Sequence, residues 1–192
     1  MSETLLWSQL RQGRKAALEA LYRAYAPVLL QYGGKFSADR QWVEDCLQDL
    51  FVGLWQAREQ LGEVSSVKSY LLVAMRRRVI RQLGRQQKRE TSEEPEEHQF
   101  DCDLAIDEQI AAREFSHEQH LKLQEALRQL SARQKEAIYL KYQLGMDYEN
   151  IGQAMDINYQ SVRNLVHSAV SRLKKLLISS WWLALWNFLG IN

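Results

Sequence analysis

Apolar residues recur at helical spacing from residue 127 to 177, and residues suited to helix ends divide this stretch into helices. The S-x-x-Q segment 131–134 fits a capping box, in which two side chains satisfy free N–H groups at a helix start. Gly145 predicts the end of that helix. Asp147 can cap a second, short helix, and Asn158, at the end of a tight turn, can cap a third.

The third of these helices has an apolar and a polar face. Its apolar residues recur every three or four positions, so we expect them to pack inward: Val162, Val166, Ala169 and Leu173. The other face carries side chains that can hydrogen-bond base edges or phosphates: Gln160, Ser161, Arg163, Asn164 and His167. A short helix, a turn and a polar-faced helix predict a helix-turn-helix. An ordinary helical hairpin with a solvated outer face is the alternative.

Residues 1 to 90 show the same helical spacing, interrupted near Gly13, Gly33 and Gly62, which predicts four helices. The third has an apolar stripe from Val43 to Trp55. Its opposite edge is polar and largely acidic, and charge alone favours a solvated face: Glu44, Asp45, Gln48, Asp49 and Gln56.

The fourth helix carries a dense basic cluster: Arg76, Arg77, Arg78, Arg81, Arg85, Lys88 and Arg89. Positive charges at this density repel one another unless a polyanion neutralises them. The cluster therefore favours binding to DNA or phosphate over a purely solubilising role.

The charges of the chain are segregated, although 25 basic and 24 acidic residues nearly cancel. Residues 90–108 hold nine of the acidic residues and no Lys or Arg, so the rest of the chain is basic, as in nucleic-acid binders. Pro95 and the scarcity of large apolar side chains predict a disordered linker there. Because period-two runs typical of strands are missing, the sequence predicts an all-α fold of two small helical domains joined by this acidic, flexible linker.

The sequence gives little support for disulfide bonds, catalysis, cofactor binding or metal binding. Two cysteines are too few for a disulfide scaffold, and with no signal peptide they favour a reducing cytoplasm. No phosphate-cradling glycine loop, H-E-x-x-H or nucleophile elbow occurs, so we predict no enzyme and no cofactor. A metal site is not expected either, because a C-x-x-C is missing and two of the four candidate ligands lie in the linker: His98, Cys102, His117 and His120.

Two long segments resemble the extracytoplasmic-function sigma factors of bacterial RNA polymerase. The string LRQLSARQKEAIYLKYQLGMDYENIGQAMDINYQSVRNLVHSAVSRLKKLL, residues 127–177, is similar to their C-terminal, minus-thirty-five-reading domain. Residues 18–86, with LEALYRAYAPVLLQYGGKF, WVEDCLQDLFVGLWQ and SVKSYLLVAMRRRVIRQLGRQ, are similar to their N-terminal domain. The resemblance implies region 2 in residues 1–89, a linker in 90–118 that threads the polymerase, region 4 in 119–177, and a hydrophobic tail in 178–192.

The resemblance also implies roles for individual residues. Contacts with core polymerase would come from the third helix: Asp45, Gln48, Asp49 and Trp55. Recognition and melting of the minus-ten element would come from the fourth: Tyr70, Arg76, Arg77, Arg78, Arg81 and Arg85. An aromatic ring and arginines suit single-stranded DNA because they combine stacking with backbone neutralisation. Recognition of the minus-thirty-five element would come from the last helix: Tyr159, Gln160, Ser161, Arg163, Asn164 and His167.

Five positions depart from the usual family pattern. Arg77 replaces an Asn and cannot accept hydrogen bonds as the amide does, which affects base preference. Gly152 replaces a small Ala, and Asp156 replaces the turn Gly but tolerates left-handed backbone. Leu165 and Ser168 stand where arginines are frequent, which predicts weaker anchoring of phosphates.

The segment from Leu176 to Ile191 is uncharged and contains Trp181, Trp182 and Trp186. It is shorter than the roughly 20 residues that span a bilayer as a helix. It could fold back on the protein, dock with a regulator such as an anti-sigma factor, or lie at a membrane interface. Two other functions stay open: a sigma-like decoy that binds an anti-sigma factor, and a conventional helix-turn-helix repressor.

Overall fold

The computed structural model describes residues 2–90, 100–101 and 117–176, and within these ranges all regular structure is helical. This confirms the predicted all-α fold. The chain divides into two compact units, residues 1–99 and 100–192. The hydrophobic tail lies outside the described residues, as do His98 and Cys102. No helix in the described ranges is long and apolar enough to cross a membrane.

The first unit contains the four predicted helices. They are α1 (Glu3–Arg11), α2 (Lys15–Gly33), α3 (Arg40–Gln56) and α4 (Val67–Glu90), with a single 3₁₀ turn at Arg58–Gln60. Helices α2, α3 and α4 pack against one another, and α1 lies against α2 and α4. Their contact surfaces form one apolar core, in which Leu21, Leu29, Leu71, Leu72 and Met75 are almost completely buried.

The ends of these helices follow from local chemistry. The Ser2 and Asp39 side chains accept hydrogen bonds from the backbone N–H groups of Leu5 and Trp42, and so cap the first turns of α1 and α3. The Ser66 hydroxyl accepts one from the N–H of Ser69 at the start of α4. Gly13, which follows α1, has a φ of 79°. Glycine adopts this left-handed conformation without steric cost.

The second unit contains α5 (His117–Arg128), α6 (Ala132–Ile138), α7 (Tyr148–Met155) and α8 (Tyr159–Leu176). Both parts of the predicted capping box at Ser131 and Gln134 are present. Helix α8 packs against α5, α6 and α7, and its predicted apolar face is the buried one. The helix that begins at Ala132 does not continue as an α-helix to Gly145, because a π-helical segment occupies Tyr139–Gln143.

One residue of the acidic segment belongs to the second core. Phe100 is 4% exposed, and its ring contacts that of Tyr139 edge to face with 5.7 Å between centroids. Phe100 therefore departs from the expectation of a disordered linker. The physical reason is that an aromatic ring removes a large apolar area from water when it is buried.

Candidate nucleic-acid interface

The turn between α7 and α8 is fixed by polar caps and by an unusual backbone conformation. Asp147 caps α7 by accepting a hydrogen bond from the N–H of Asn150 at 2.7 Å. Asn158 caps α8 in the same way, with the N–H of Ser161 at 2.8 Å. Between them Asp156 adopts a left-handed conformation, with φ of 55° and ψ of 49°. The three predictions for this turn are confirmed.

Gly152 allows the chain to fold back closely at this turn. Its carbonyl accepts a hydrogen bond from the N–H of Ile157 at 3.0 Å. A Cβ atom at position 152 would lie 2.7 Å from the carbonyl oxygen of Ile157, which is too close for two unbonded atoms. The departure from Ala at this position therefore has a structural reason, since only glycine fits the turn as it is built.

The polar face of α8 is presented to solvent. Tyr159, Gln160, Arg163, Asn164 and His167 are exposed and Ser161 is partly exposed. Because they share one face of one helix, the structure brings all six predicted minus-thirty-five residues together. The Gln160 amide donates to the Asn164 side-chain oxygen at 3.1 Å, so the two amides hold each other in place. Ser168 is used differently, since its hydroxyl accepts a hydrogen bond from the Gln134 amide at 3.0 Å.

A row of aromatic and cationic side chains continues this face beyond α8. The Arg163 guanidinium lies 6.0 Å from the centre of the Tyr159 ring, which contacts the Tyr148 ring edge to face with centroids 5.7 Å apart. The Lys141 ammonium lies 4.6 Å from the centre of the Tyr148 ring. Neither Lys141 nor Tyr148 is predicted from the sequence, because the contact of Tyr148 with Tyr159 and that of Lys141 with Tyr148 form only in the tertiary fold.

The basic residues of α4 have different surroundings. Arg77, Arg81 and Arg85 are exposed, whereas Arg76 and Arg78 are partly buried. Tyr70, at the start of the helix, contacts Trp7 of α1 edge to face with ring centroids 4.9 Å apart. Trp7 is itself fixed, because its indole N–H donates to the carbonyl of Gly62 at 2.9 Å. The ring of Tyr70 is therefore supported on one side by a residue that sequence reasoning did not select.

The polar edge of α3 lies at the surface of the first unit. Asp45, Gln48 and Asp49 are exposed, and Asp45 accepts a hydrogen bond from the Gln41 amide at 3.1 Å. Trp55 is partly buried, with the guanidinium of Arg58 4.7 Å from its ring centre. The four predicted polymerase contacts thus come from one helix, and three of them are exposed.

Two titratable groups in the core of the first unit have raised pKa values. Burial, followed by the charge of Asp49, raises the pKa of the Cys46 thiol to about 11, and Arg78 opposes this shift. Burial, followed by a hydrogen bond with Glu3, raises the pKa of Tyr25. Among the residues described, no group of three or more His, Cys, Asp or Glu side chains could hold a metal ion.

Known proteins match both units. The family model for sigma-70 region 2 matches residues 21–89, and the model for sigma-70 region 4 matches residues 120–173. Together these matches cover more than half of the chain. The chain is also 26% identical, over 160 residues, to a protein of Mycobacterium tuberculosis named ECF RNA polymerase sigma factor SigL, covering 83% of this chain and 88% of the relative.

Two solved structures have similar folds. The structure of CnrH in complex with the cytosolic domain of CnrY has a TM-score of 0.59 at 19% identity, covering 91% of this chain and 96% of the other. The structure of the sigma factor RpoE in complex with the anti-sigma factor NepR, from Bartonella quintana, has a TM-score of 0.59 at 22% identity, covering 84% and 96%. At these identities the likeness concerns the fold alone.

Proposed function

The chain belongs to the extracytoplasmic-function group of sigma-70-type RNA polymerase sigma factors, and on this basis we propose which of its residues bind polymerase and promoter. As a sigma factor, it binds core RNA polymerase and directs transcription initiation at specific promoters. The assignments below rest on where the side chains lie and on what they can bind.

Helix α8 reads the minus-thirty-five element in this proposal. The observation that carries it is the capped helix-turn-helix with six polar residues on one accessible face, from Tyr159 to His167. A recognition helix of this kind contacts base edges from the major groove with the residues near its N-terminus. Arg163 suits guanine and the amides of Gln160 and Asn164 suit adenine.

Helix α4 recognises and opens the minus-ten element. Its exposed guanidinium groups, on Arg77, Arg81 and Arg85, can neutralise the backbone of a separated strand. Tyr70 offers an aromatic ring at the start of the same helix, supported by Trp7. Stacking and backbone neutralisation together stabilise single-stranded DNA without requiring a particular sequence.

The exposed edge of α3 docks on core polymerase through Asp45, Gln48, Asp49 and Trp55. Tryptophan is enriched in binding hot spots, so Trp55 can serve as an apolar anchor. The carboxylates on the same face would attract a basic surface of the polymerase. The chemistry of RNA synthesis belongs to the polymerase, so the chain acts as a specificity subunit and not as an enzyme.

A regulatory partner is part of the proposal. The CnrH and RpoE structures contain the cytosolic domain of CnrY and the anti-sigma factor NepR, respectively. We expect that this chain, too, is held by an anti-sigma factor, which would cover surfaces used for polymerase. The predicted membrane contact of the tail falls on residues outside the described ranges, and no observation supports it.

Run-off transcription tests the function directly. Purified core polymerase is incubated with fragmented genomic DNA from the source organism, with and without the protein. We expect new discrete start sites that depend on the protein, and their alignment should reveal two upstream elements. Polymerase binding without initiation would refute promoter direction by this chain, and a failure to bind polymerase would favour the decoy hypothesis.

A further inference from the structure

A charged contact joins the two functional helices of the first unit. The Arg78 side chain of α4 reaches across to α3, where its Nη1 atom lies 3.6 Å from Oδ2 of Asp49. The Arg78 side chain is 33% exposed and that of Asp49 59%. Arg78 therefore points toward α3, unlike Arg77 and Arg81, which are exposed.

Gly53 provides the space for this contact. A Cβ atom at position 53 would lie 2.7 Å from Nη2 of Arg78, so the guanidinium rests directly against the backbone of α3. Gly53 and Asp49 are one turn apart and therefore share one helix face. Glycine weakens the interior of a helix relative to alanine, yet here it creates a notch that a larger residue would fill.

The buried thiol of Cys46 lies near the charges of both Asp49 and Arg78. Cys46 is fully buried on α3, and its pKa is affected by Asp49 and by Arg78 in opposite directions. Both charges therefore lie close to the seam between the two helices. This location distinguishes Arg78 from Arg77 and Arg81, whose side chains are exposed.

We propose that Arg78 is a positioning residue of the polymerase-docking face. Its guanidinium, lying in the Gly53 notch, holds the Asp49 carboxylate in place and does not contact DNA. This inference rests on the proposed function, because it assumes that Asp49 contacts core polymerase. A carboxylate that is already held in one orientation loses less conformational freedom on binding. Support from a neighbouring side chain is how binding groups are kept in productive geometry.

The test uses two substitutions that disturb the contact in different ways. Arg78→Ala removes the guanidinium, whereas Gly53→Ala keeps every charge but displaces the guanidinium from its notch. Since the displaced atom is the far end of a flexible side chain and alanine favours helix, Gly53→Ala should fold normally. Arg81→Ala is the matched control, because it removes an exposed arginine from the same helix.

The first measurement is the affinity of each full-length variant for core polymerase. We expect Arg78→Ala and Gly53→Ala each to raise the Kd about two- to fivefold, the range for losing one partly exposed ion pair. The double variant should be no weaker than Arg78→Ala alone, since Gly53→Ala acts only through Arg78. Arg81→Ala should bind core polymerase normally.

The second measurement is the salt dependence of promoter binding by the reconstituted holoenzymes. We expect Arg81→Ala to reduce the slope by about one, as for a lost phosphate contact, and Arg78→Ala to leave it unchanged. A reduced slope for Arg78→Ala together with normal polymerase affinity would overturn the proposal and make Arg78 a DNA contact. Independent, additive effects of the two substitutions would also overturn it.

These outcomes are distinguishable from a failure of the proposed function. If the unaltered chain did not bind core polymerase at all, the proposed function and this inference would fail together. If it bound and every variant bound equally well, only the role of Arg78 would be wrong. Helix content and melting temperature of each variant, measured by circular dichroism, show whether a lower affinity reflects unfolding instead.

Discussion

At the scale of single residues, the helix-turn-helix depends on the backbone conformation of Asp156 and on the absence of a side chain at Gly152. Asp156 takes the left-handed conformation that a glycine would adopt more easily, with φ of 55°. Gly152, four residues earlier, removes the Cβ atom that would meet the carbonyl of Ile157. The close approach explains why a glycine inside the short helix α7 is compatible with a stable turn, despite its low helix propensity.

We therefore predict that Gly152→Ala destabilises the second unit. The added methyl group must push the backbone of Ile157 away, and overpacking of this kind costs about 1–3 kcal/mol. Gly84→Ala is the control, because a Cβ atom there would meet nothing within 4 Å. Urea unfolding measures both changes. Equal stability of the parent and Gly152→Ala would show that the turn can relax without cost.

Cys46 gives a prediction about reactivity. Its thiol is buried and has a pKa of about 11, so only about one thiol in a thousand is ionised at pH 8. In a Cys102→Ser variant, which leaves Cys46 as the only thiol, we expect alkylation to be slow in the native state and to accelerate as the pH rises toward 11. The denatured chain should react rapidly. Rapid native labelling at pH 7 would contradict the burial of Cys46.

At the scale of elements, the sequence predicts helices and their ends better than it predicts contacts between helices. The side chains of Ser131, Asp147 and Asn158 each accept a hydrogen bond from the backbone N–H group three residues later. The local sequence is therefore sufficient to predict these caps. The π-helical segment Tyr139–Gln143 was not predicted, because its residues also fit an α-helix. The contacts of Lys141 with Tyr148 and of Arg78 with Asp49 were missed, because each joins residues of two different helical segments.

Helix α8, which we propose reads the minus-thirty-five element, provides a direct test at this scale. Arg163→Ala should weaken binding of the holoenzyme to its minus-thirty-five element by about 1–3 kcal/mol and relax base preference there. Arg172→Ala is the control on the same helix: nine residues at 100° each place it on the opposite side. Footprinting at fixed salt compares the two variants. A normal footprint for Arg163→Ala would remove this side chain from the DNA interface.

At the scale of the whole molecule, the acidic segment is more than a spacer between two units. Most of it lies outside the described residues, but Phe100 is part of the second core and contacts Tyr139. Composition predicts disorder for the segment as an average over many residues. A single aromatic ring that packs in a core is lost in such an average, and its partner Tyr139 lies far along the sequence in the π-helical segment.

We predict that Phe100→Ala destabilises the second unit by about 3–5 kcal/mol, as expected for removing a buried phenyl ring. The effect should appear as faster hydrogen exchange in α6 to α8, while α1 to α4 remain protected. Leu5→Ala, which removes an exposed apolar side chain, should change neither unit appreciably. If Phe100→Ala left exchange in the second unit unchanged, the ring would contribute nothing to its stability.

Binding to polymerase connects the single residue with the whole molecule, because in the proposed docking one charge on α3 decides whether the chain becomes part of a holoenzyme. Asp49→Arg should abolish co-elution with core polymerase, since it reverses the charge at the proposed docking face and also confronts Arg78 with a second guanidinium. Repulsion between two guanidinium groups could also reduce binding by disturbing the fold, so the control variant must introduce the same repulsion at another place. Glu19→Arg does so on α2, where Glu19 pairs with Arg23 and both side chains are exposed.

We expect both variants to keep their helix content and only Asp49→Arg to lose binding to polymerase. If both co-elute normally, the docking face lies elsewhere than on α3, and if both lose binding, the interaction responds to net charge and not to a specific surface.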